Sequence, residues 1–133
     1  MPSSPPLRAL LIEDELHARR YLRELLTHEK GITVVGEAAS GLEGLDLIRS
    51  LAPDLVFLDV QMPELDGFGI VQCLGPARMP AFIFVTAFAE YAVRAFEVEA
   101  VDYLCKPFDQ ERLSAAVQRA RRHLRGGDRK SVV

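Results

Sequence analysis

Cysteine is scarce: the 133 residues hold two, Cys73 and Cys105, neither with a second cysteine or a histidine at ligand spacing. That argues against a disulfide framework or a thiolate metal site. Both cysteines lie among apolar residues and are expected as buried thiols in a reducing cytoplasm. Long hydrophobic runs are missing too; nothing approaches the roughly 18–20 apolar residues that span a bilayer, so no membrane contact is expected. The opening Met1-Pro2-Ser3-Ser4-Pro5-Pro6 lacks the basic-then-apolar pattern of a signal peptide. Positive charge is in deficit, 16 Lys and Arg against 19 Asp and Glu, and a net charge of −3 makes no field that would gather nucleic acid. What is plentiful is apolar mass: 49% hydrophobic residues in a chain of single-domain length, enough to fill a two-faced core. The expected division is a disordered leader over residues 1–6, one soluble domain over 7–125, and a flexible tail or linker start over 126–133.

The most informative stretch is Leu55-Val56-Phe57-Leu58-Asp59-Val60-Gln61-Met62-Pro63-Glu64-Leu65-Asp66-Gly67. Four apolar residues read as a buried strand that delivers Asp59 to a turn containing proline and glycine. A carboxylate at that place is either solvated in the loop or positioned for chemistry. The rest of the chain repeats the pattern. Arg8-Ala9-Leu10-Leu11-Ile12 is a strand-length run that stops at Glu13-Asp14-Glu15. A helical period follows, with Ala18, Leu22, Leu25 and Leu26 inward and Arg19, Arg20, Arg23 and Glu24 on the wet side, until Gly31. Ile32-Thr33-Val34-Val35-Gly36-Glu37-Ala38 is a β-branched strand, and Ser40-Gly41-Leu42-Glu43 has the spacing of a capping box before a helix whose face is marked by Leu42, Leu45 and Ile48. Pro53 ends that helix.

Beyond the turn, Phe68, Val71 and Leu74 carry a short helix closed by Gly75 and Pro76. Ala81-Phe82-Ile83-Phe84-Val85 is a fourth strand ending in Thr86. Residues 89–99 are helix formers with Ala92, Ala95 and Phe96 spaced for burial. Ala100-Val101-Asp102-Tyr103-Leu104 is a fifth strand running into Cys105-Lys106-Pro107. Asp109 suits an N-cap, and Leu113, Ala116, Val117, Ala120 and Leu124 form an apolar stripe that Gly126-Gly127 ends. Five strand–helix units with little alternation inside the strands imply an α/β fold, a parallel sheet covered on both faces by right-handed crossovers. In such sheets the functional crevice lies outside the carboxyl ends of the strands. Glu13, Asp14, Asp59, Thr86 and Lys106 therefore converge.

Three converging carboxylates repel one another unless a cation is present. An all-oxygen donor set favours a hard ion, and Mg²⁺ keeps waters and open positions for phosphate oxygens. A hydroxyl and an ammonium complete a site suited to phosphoryl transfer onto an aspartate. Singly, each residue has a plainer reading: acids favour a helix N-terminus, threonine favours strands, and a lone lysine is usually solvated.

These residues resemble the receiver domain of bacterial two-component response regulators: Glu13-Asp14 after the first strand, Asp59 in F-L-D-V-Q-M-P-E-L-D-G, Thr86-Ala87, and Lys106-Pro107-Phe108. The run T-A-F-A-E-Y-A-V-R-A-F-E-V-E-A-V-D-Y-L-C-K-P-F is similar to receivers that precede a LytTR-type DNA-binding domain. The resemblance implies a doubly wound, flavodoxin-like five-stranded sheet of order 2-1-3-4-5. It implies that Asp59 accepts a phosphoryl group from a sensor histidine kinase, with Mg²⁺, or Mn²⁺ in its place, held by Glu13, Asp14, Asp59 and the backbone carbonyl of Gln61. Thr86 and Lys106 would bind the phosphoryl oxygens, and Tyr103 would be a switch aromatic. The output face would be the fourth helix, fifth strand and fifth helix, residues 89–124, also open to homodimerisation. DNA would be reached only through an output domain outside this chain. The Lys106-Pro107 bond is often cis in that family, although the ordinary physical expectation for X-Pro is trans. Glu13 stands where many members have Asp and could hold a metal water. Phe88 places a ring where hydrolytic water would approach, which predicts slow self-dephosphorylation. An aspartyl-nucleophile phosphatase would need an acid where Gln61 stands, and a receiver-shaped binding module that is never phosphorylated is the other alternative.

Overall fold

The computed structural model describes residues 5–75 and 79–126. The expected leader before Pro5, the closing Pro76, and the tail from Gly127 onward lie outside the described residues. The chain runs β1 (Leu7–Ile12), α1 (Leu16–Leu26), β2 (Ile32–Ala38), α2 (Gly41–Leu51), β3 (Leu55–Leu58), α3 (Gly67–Leu74), β4 (Ala81–Thr86), a 3₁₀ turn (Ala89–Tyr91), α4 (Ala92–Glu97), β5 (Asp102–Cys105) and α5 (Gln110–Arg125). The five strands form one sheet of order β2-β1-β3-β4-β5, parallel throughout.

Period-2 side-chain alternation divides each strand between two cores. Leu55 and Phe57 of β3 join Leu11, Ile83 and Val85 against Leu22 and Leu26 of α1 and Leu113, Ala116, Val117 and Ala120 of α5. Val56 and Leu58 face the other way, with Ile12 and Phe84, onto Ile48 of α2, Phe68 and Val71 of α3 and Ala95 of α4. A strand buried on both sides has no polar face, which is why β3 and β4 read as continuous apolar runs. Helix starts are fixed locally: Glu15, Ser40, Asp66 and Asp109 each accept a hydrogen bond from a backbone N–H in the first turn. On the rim where the strands begin, Pro5, Pro6 and Leu7 share a cleft with Asp54, Arg121, Leu124 and Arg125.

Several expectations are corrected. Both cysteines are exposed. Cys73 falls on the side of α3 opposite buried Phe68, Ile70 and Val71, and Cys105 is the last residue of an edge strand, out of phase with buried Leu104. Leu42 is 53% exposed because α2 packs through Gly41, Gly44, Leu45 and Ile48, one residue off the expected stripe. The fourth helix is a turn followed by six residues, of which Ala95 alone is buried; Ala92 is exposed and Phe96 is 82% exposed. Ala92 and Phe96, four residues apart, share a face that α4 turns to solvent, and the neighbouring Ala95 makes the packing contact. The Lys106-Pro107 bond, which the sequence left open between the cis form frequent in the resembling family and the ordinary trans form, is cis.

Candidate functional site

The sheet's hydrogen bonding continues one residue past β1 and β3, and this carries the acids into place. The Glu13 N–H donates to the Ala38 carbonyl at 3.0 Å, and the Asp59 N–H donates to the Ile12 carbonyl at 3.0 Å. The loop after Asp59 folds back so that the Gly67 N–H reaches the Val60 carbonyl at 3.0 Å. Glycine is required there: a Cβ on Gly67 would stand 2.6 Å from the Asp59 carbonyl oxygen. Asp66 caps α3, accepting from the Gly69 N–H at 2.8 Å, and so fixes the far end of the loop.

Glu13, Asp14 and Asp59 converge with one carboxylate oxygen each within 4.8 Å of one another. Glu13 is 4% and Asp59 7% exposed, whereas Asp14 faces solvent. Lys106 enters from the end of β5, where its N–H donates to the Thr86 carbonyl at 2.8 Å. Its Nζ lies 2.7 Å from Glu13 Oε1 and 3.4 Å from Asp59 Oδ2. The other Glu13 oxygen accepts from the Glu15 N–H at 3.1 Å, and Asp59 Oδ1 accepts from the Gln61 N–H at 3.1 Å. One lysine therefore serves two buried acids, nearer to the glutamate. Burial, then the neighbouring Glu13 charge, pushes the Asp59 carboxyl up to about 7 against the pull of Lys106. Burial works against the Lys106 ammonium, but the Glu13 hydrogen bond and the two negative charges hold it above the usual lysine range.

Thr86 is buried at the end of β4, and its Oγ1 accepts from the Phe88 N–H at 3.3 Å. The Tyr103 hydroxyl donates to the carbonyl of the same Phe88. Of the residues singled out in the sequence, Glu13, Asp14, Asp59 and Lys106 thus form one cluster, and Gln61 joins through its main chain. Thr86 and Tyr103 meet at the backbone of Phe88. Three contributors escaped the sequence reading. Tyr91 accepts a hydrogen bond from Gln61 Nε2 at 2.9 Å; Arg94 covers the Phe68 ring at 4.1 Å; and Arg19, expected in solvent, donates to the Glu13 carbonyl at 2.8 Å. Helical spacing gave their faces but not the reach of long side chains.

A family model described as the response regulator receiver domain matches residues 9–118. The chain is 49% identical to an uncharacterized response regulatory protein of Vibrio cholerae serotype O1, over 92% of this chain and 52% of that one. It is 43% identical to the transcriptional regulatory protein BtsR of Escherichia coli K12, over 86% and 48%. It thus spans about half the length of these curated relatives. Among solved structures, the response regulatory domain of mrkE from Klebsiella pneumoniae superimposes with a TM-score of 0.82 at 32% identity, covering 90% of this chain and 98% of that one. The REC domain of AraT from Geobacillus stearothermophilus gives 0.81 at 31%, over 90% and 95%.

Proposed function

Since this chain belongs to the response regulator receiver domain family, we propose that it is a phosphorylation-dependent switch whose phosphoacceptor is Asp59. The observation that carries this reading is the cluster itself: a nearly buried carboxylate at the end of a central strand, with Lys106 Nζ at 3.4 Å and two further carboxylates within 4.8 Å. A sensor histidine kinase supplies the phosphoryl group. An Asp59 carboxylate oxygen forms the P–O bond as the P–N bond of phosphohistidine breaks. The three-carboxylate, all-oxygen donor set fits Mg²⁺, or Mn²⁺, with Glu13, Asp14, Asp59 and the Gln61 carbonyl holding it directly or through water. When bound, the cation neutralises the acids and the incoming phosphate oxygens. Gln61 N–H orients the acceptor carboxylate, and Lys106 and Thr86 bind phosphoryl oxygens.

Thr86 leaving the Phe88 N–H for the phosphate loosens one of the hydrogen bonds that tie Phe88 to its surroundings; its carbonyl stays engaged by the Tyr103 hydroxyl and the Tyr91 N–H. A shift at this segment is passed to the face formed by α4, β5 and α5, residues 89–124. That face serves an output or a homodimer, where Arg94, Glu97, Arg119 and Arg122 supply charge of both signs, while Asp102, counted with them from the sequence, is buried and paired with Arg112 and Arg119. The chain acts as a signalling acceptor rather than a classical enzyme, in the cytoplasm, assisting only its own transfer and slow dephosphorylation. Its resemblance to LytTR-type receivers and the name of its BtsR relative support control of transcription, with DNA bound by an output domain beyond these residues. Intact mass after incubation with acetyl phosphate and Mg²⁺ tests the reading. One phosphoryl group is expected on the wild type and none on Asp59→Asn; no addition to the wild type, or addition that survives Asp59→Asn, overturns it.

A further inference from the structure

Glu13 and Asp14 of the β1–α1 turn are joined by one peptide plane, and that plane is held by a side chain from α1. The Glu13 carbonyl belongs to the peptide joining Glu13 to Asp14, so fixing its oxygen fixes the Asp14 nitrogen and Cα as well. Arg19 Nη1 donates to that oxygen at 2.8 Å, while its Nε donates to Glu37 Oε1 on β2 at 3.0 Å. Arg23 engages the other Glu37 oxygen. Arg19 and Glu37 are 15% and 23% exposed, so the bridge is largely withdrawn from solvent. Arginine suits this place because its rigid fork serves two elements at once, which the point charge of lysine cannot.

Glu13 is independently secured, by Ala38 at its N–H and by Lys106 and the Glu15 N–H at its carboxylate. Asp14 has no side-chain hydrogen bond among the described residues, so its direction rests on the backbone alone. We infer that Arg19, oriented by Glu37, is a positioning residue that aims Asp14 into the acidic cluster through the Glu13–Asp14 peptide, and so sets divalent-cation affinity. This rests on the proposed cation-dependent function of that cluster.

The test compares the full chain with Arg19→Gln, Arg19→Lys, Glu37→Gln and Asp14→Asn, by Mg²⁺ titration calorimetry and by melting without metal. Arg19→Gln is expected to weaken Mg²⁺ binding roughly tenfold, the lower end of what supporting partners of metal ligands contribute. Glu37→Gln is expected to weaken it less, and Arg19→Lys to fall between Arg19→Gln and the wild type. Acetyl phosphate labelling of these three variants should recover when Mg²⁺ is raised to saturation, which a disordered fold would not do. If any folded Arg19 or Glu37 variant keeps wild-type Mg²⁺ affinity while Asp14→Asn loses it, the positioning role is overturned and the proposed function stands. If Asp14→Asn also binds Mg²⁺ as the wild type does, the cation site itself is refuted.

Discussion

Phe88 shows how much one residue can carry without any charge. Its N–H is taken by Thr86, its carbonyl by Tyr103, and its ring meets Tyr91 edge-on at 6.1 Å. The backbone contacts survive truncation of the side chain, so Phe88→Ala separates the ring from the proposed switch contacts of Thr86 and Tyr103. With less apolar cover against water, the phosphoaspartate lifetime of Phe88→Ala is expected to fall roughly fivefold after loading with a small phosphodonor. An unchanged lifetime removes the ring from that role. The acids and lysine of the cluster were legible at this scale because they stand within two residues of the end of an apolar run, and a strand end states where its next residues go. Arg19 and Tyr91 were not, because their partners, Glu13 and Gln61, are reached across space by side chains whose own segments read as ordinary helix surface.

Among the elements, the edge strand β5 is tied to α5 through the buried acid Asp102, beside the Arg112 bond to the Tyr103 carbonyl and the packing of Leu104 on Leu113 and Val117. Asp102 accepts from both terminal nitrogens of Arg112, at 3.0 and 2.8 Å, and lies 3.2 Å from Arg119. Burial alone would raise its pKa. The Arg112 hydrogen bonds and the Tyr103 N–H overcome this and hold the carboxyl below the usual aspartate range. Its contribution is therefore present above the unfolded-state pKa, near 4, and is lost as pH falls through the lower folded value. Because Arg112 is 41% exposed, solvent screens the pair. Asp102→Asn is expected to lose about 1–2 kcal/mol in urea denaturation at neutral pH, with the difference closing in strong acid. Equal stability at neutral pH would contradict it. The sequence placed this acid inside a strand but could not say that it was buried and paired, since both partners sit on the following helix. The strand–helix order was readable from period alone. The exposure of Phe96 and Leu42 was not, because an apolar residue one position off a stripe looks the same in a short window as one upon it.

For the whole molecule, the site is a burden on the fold. Asp59 titrates near 4 in an unfolded chain and at about 7 in the folded one, so the folded state holds the extra proton between those values. Stability then falls as pH rises from about 4 to about 7 and stays reduced above. Asp59→Asn removes that penalty: without metal, at about pH 8, it is expected to melt several degrees higher, on the order of 2 kcal/mol, with the gain shrinking near pH 5. Adding Mg²⁺ should stabilise the wild type and narrow the gap. A variant that melts no higher than the wild type at the alkaline end would contradict this.

The cleft in which Pro5, Pro6 and Leu7 meet Leu124 and Arg125 brings the entry and exit of the fold together, on the rim opposite the acids. A six-residue strand such as β1 separates the two rims by roughly 20 Å. A group attached beside Pro5 or Arg125 therefore starts on the rim away from the acidic cluster. For the same reason a pair of fluorophores attached there as a reporter would leave the rim that carries Glu13, Asp14 and Asp59 open.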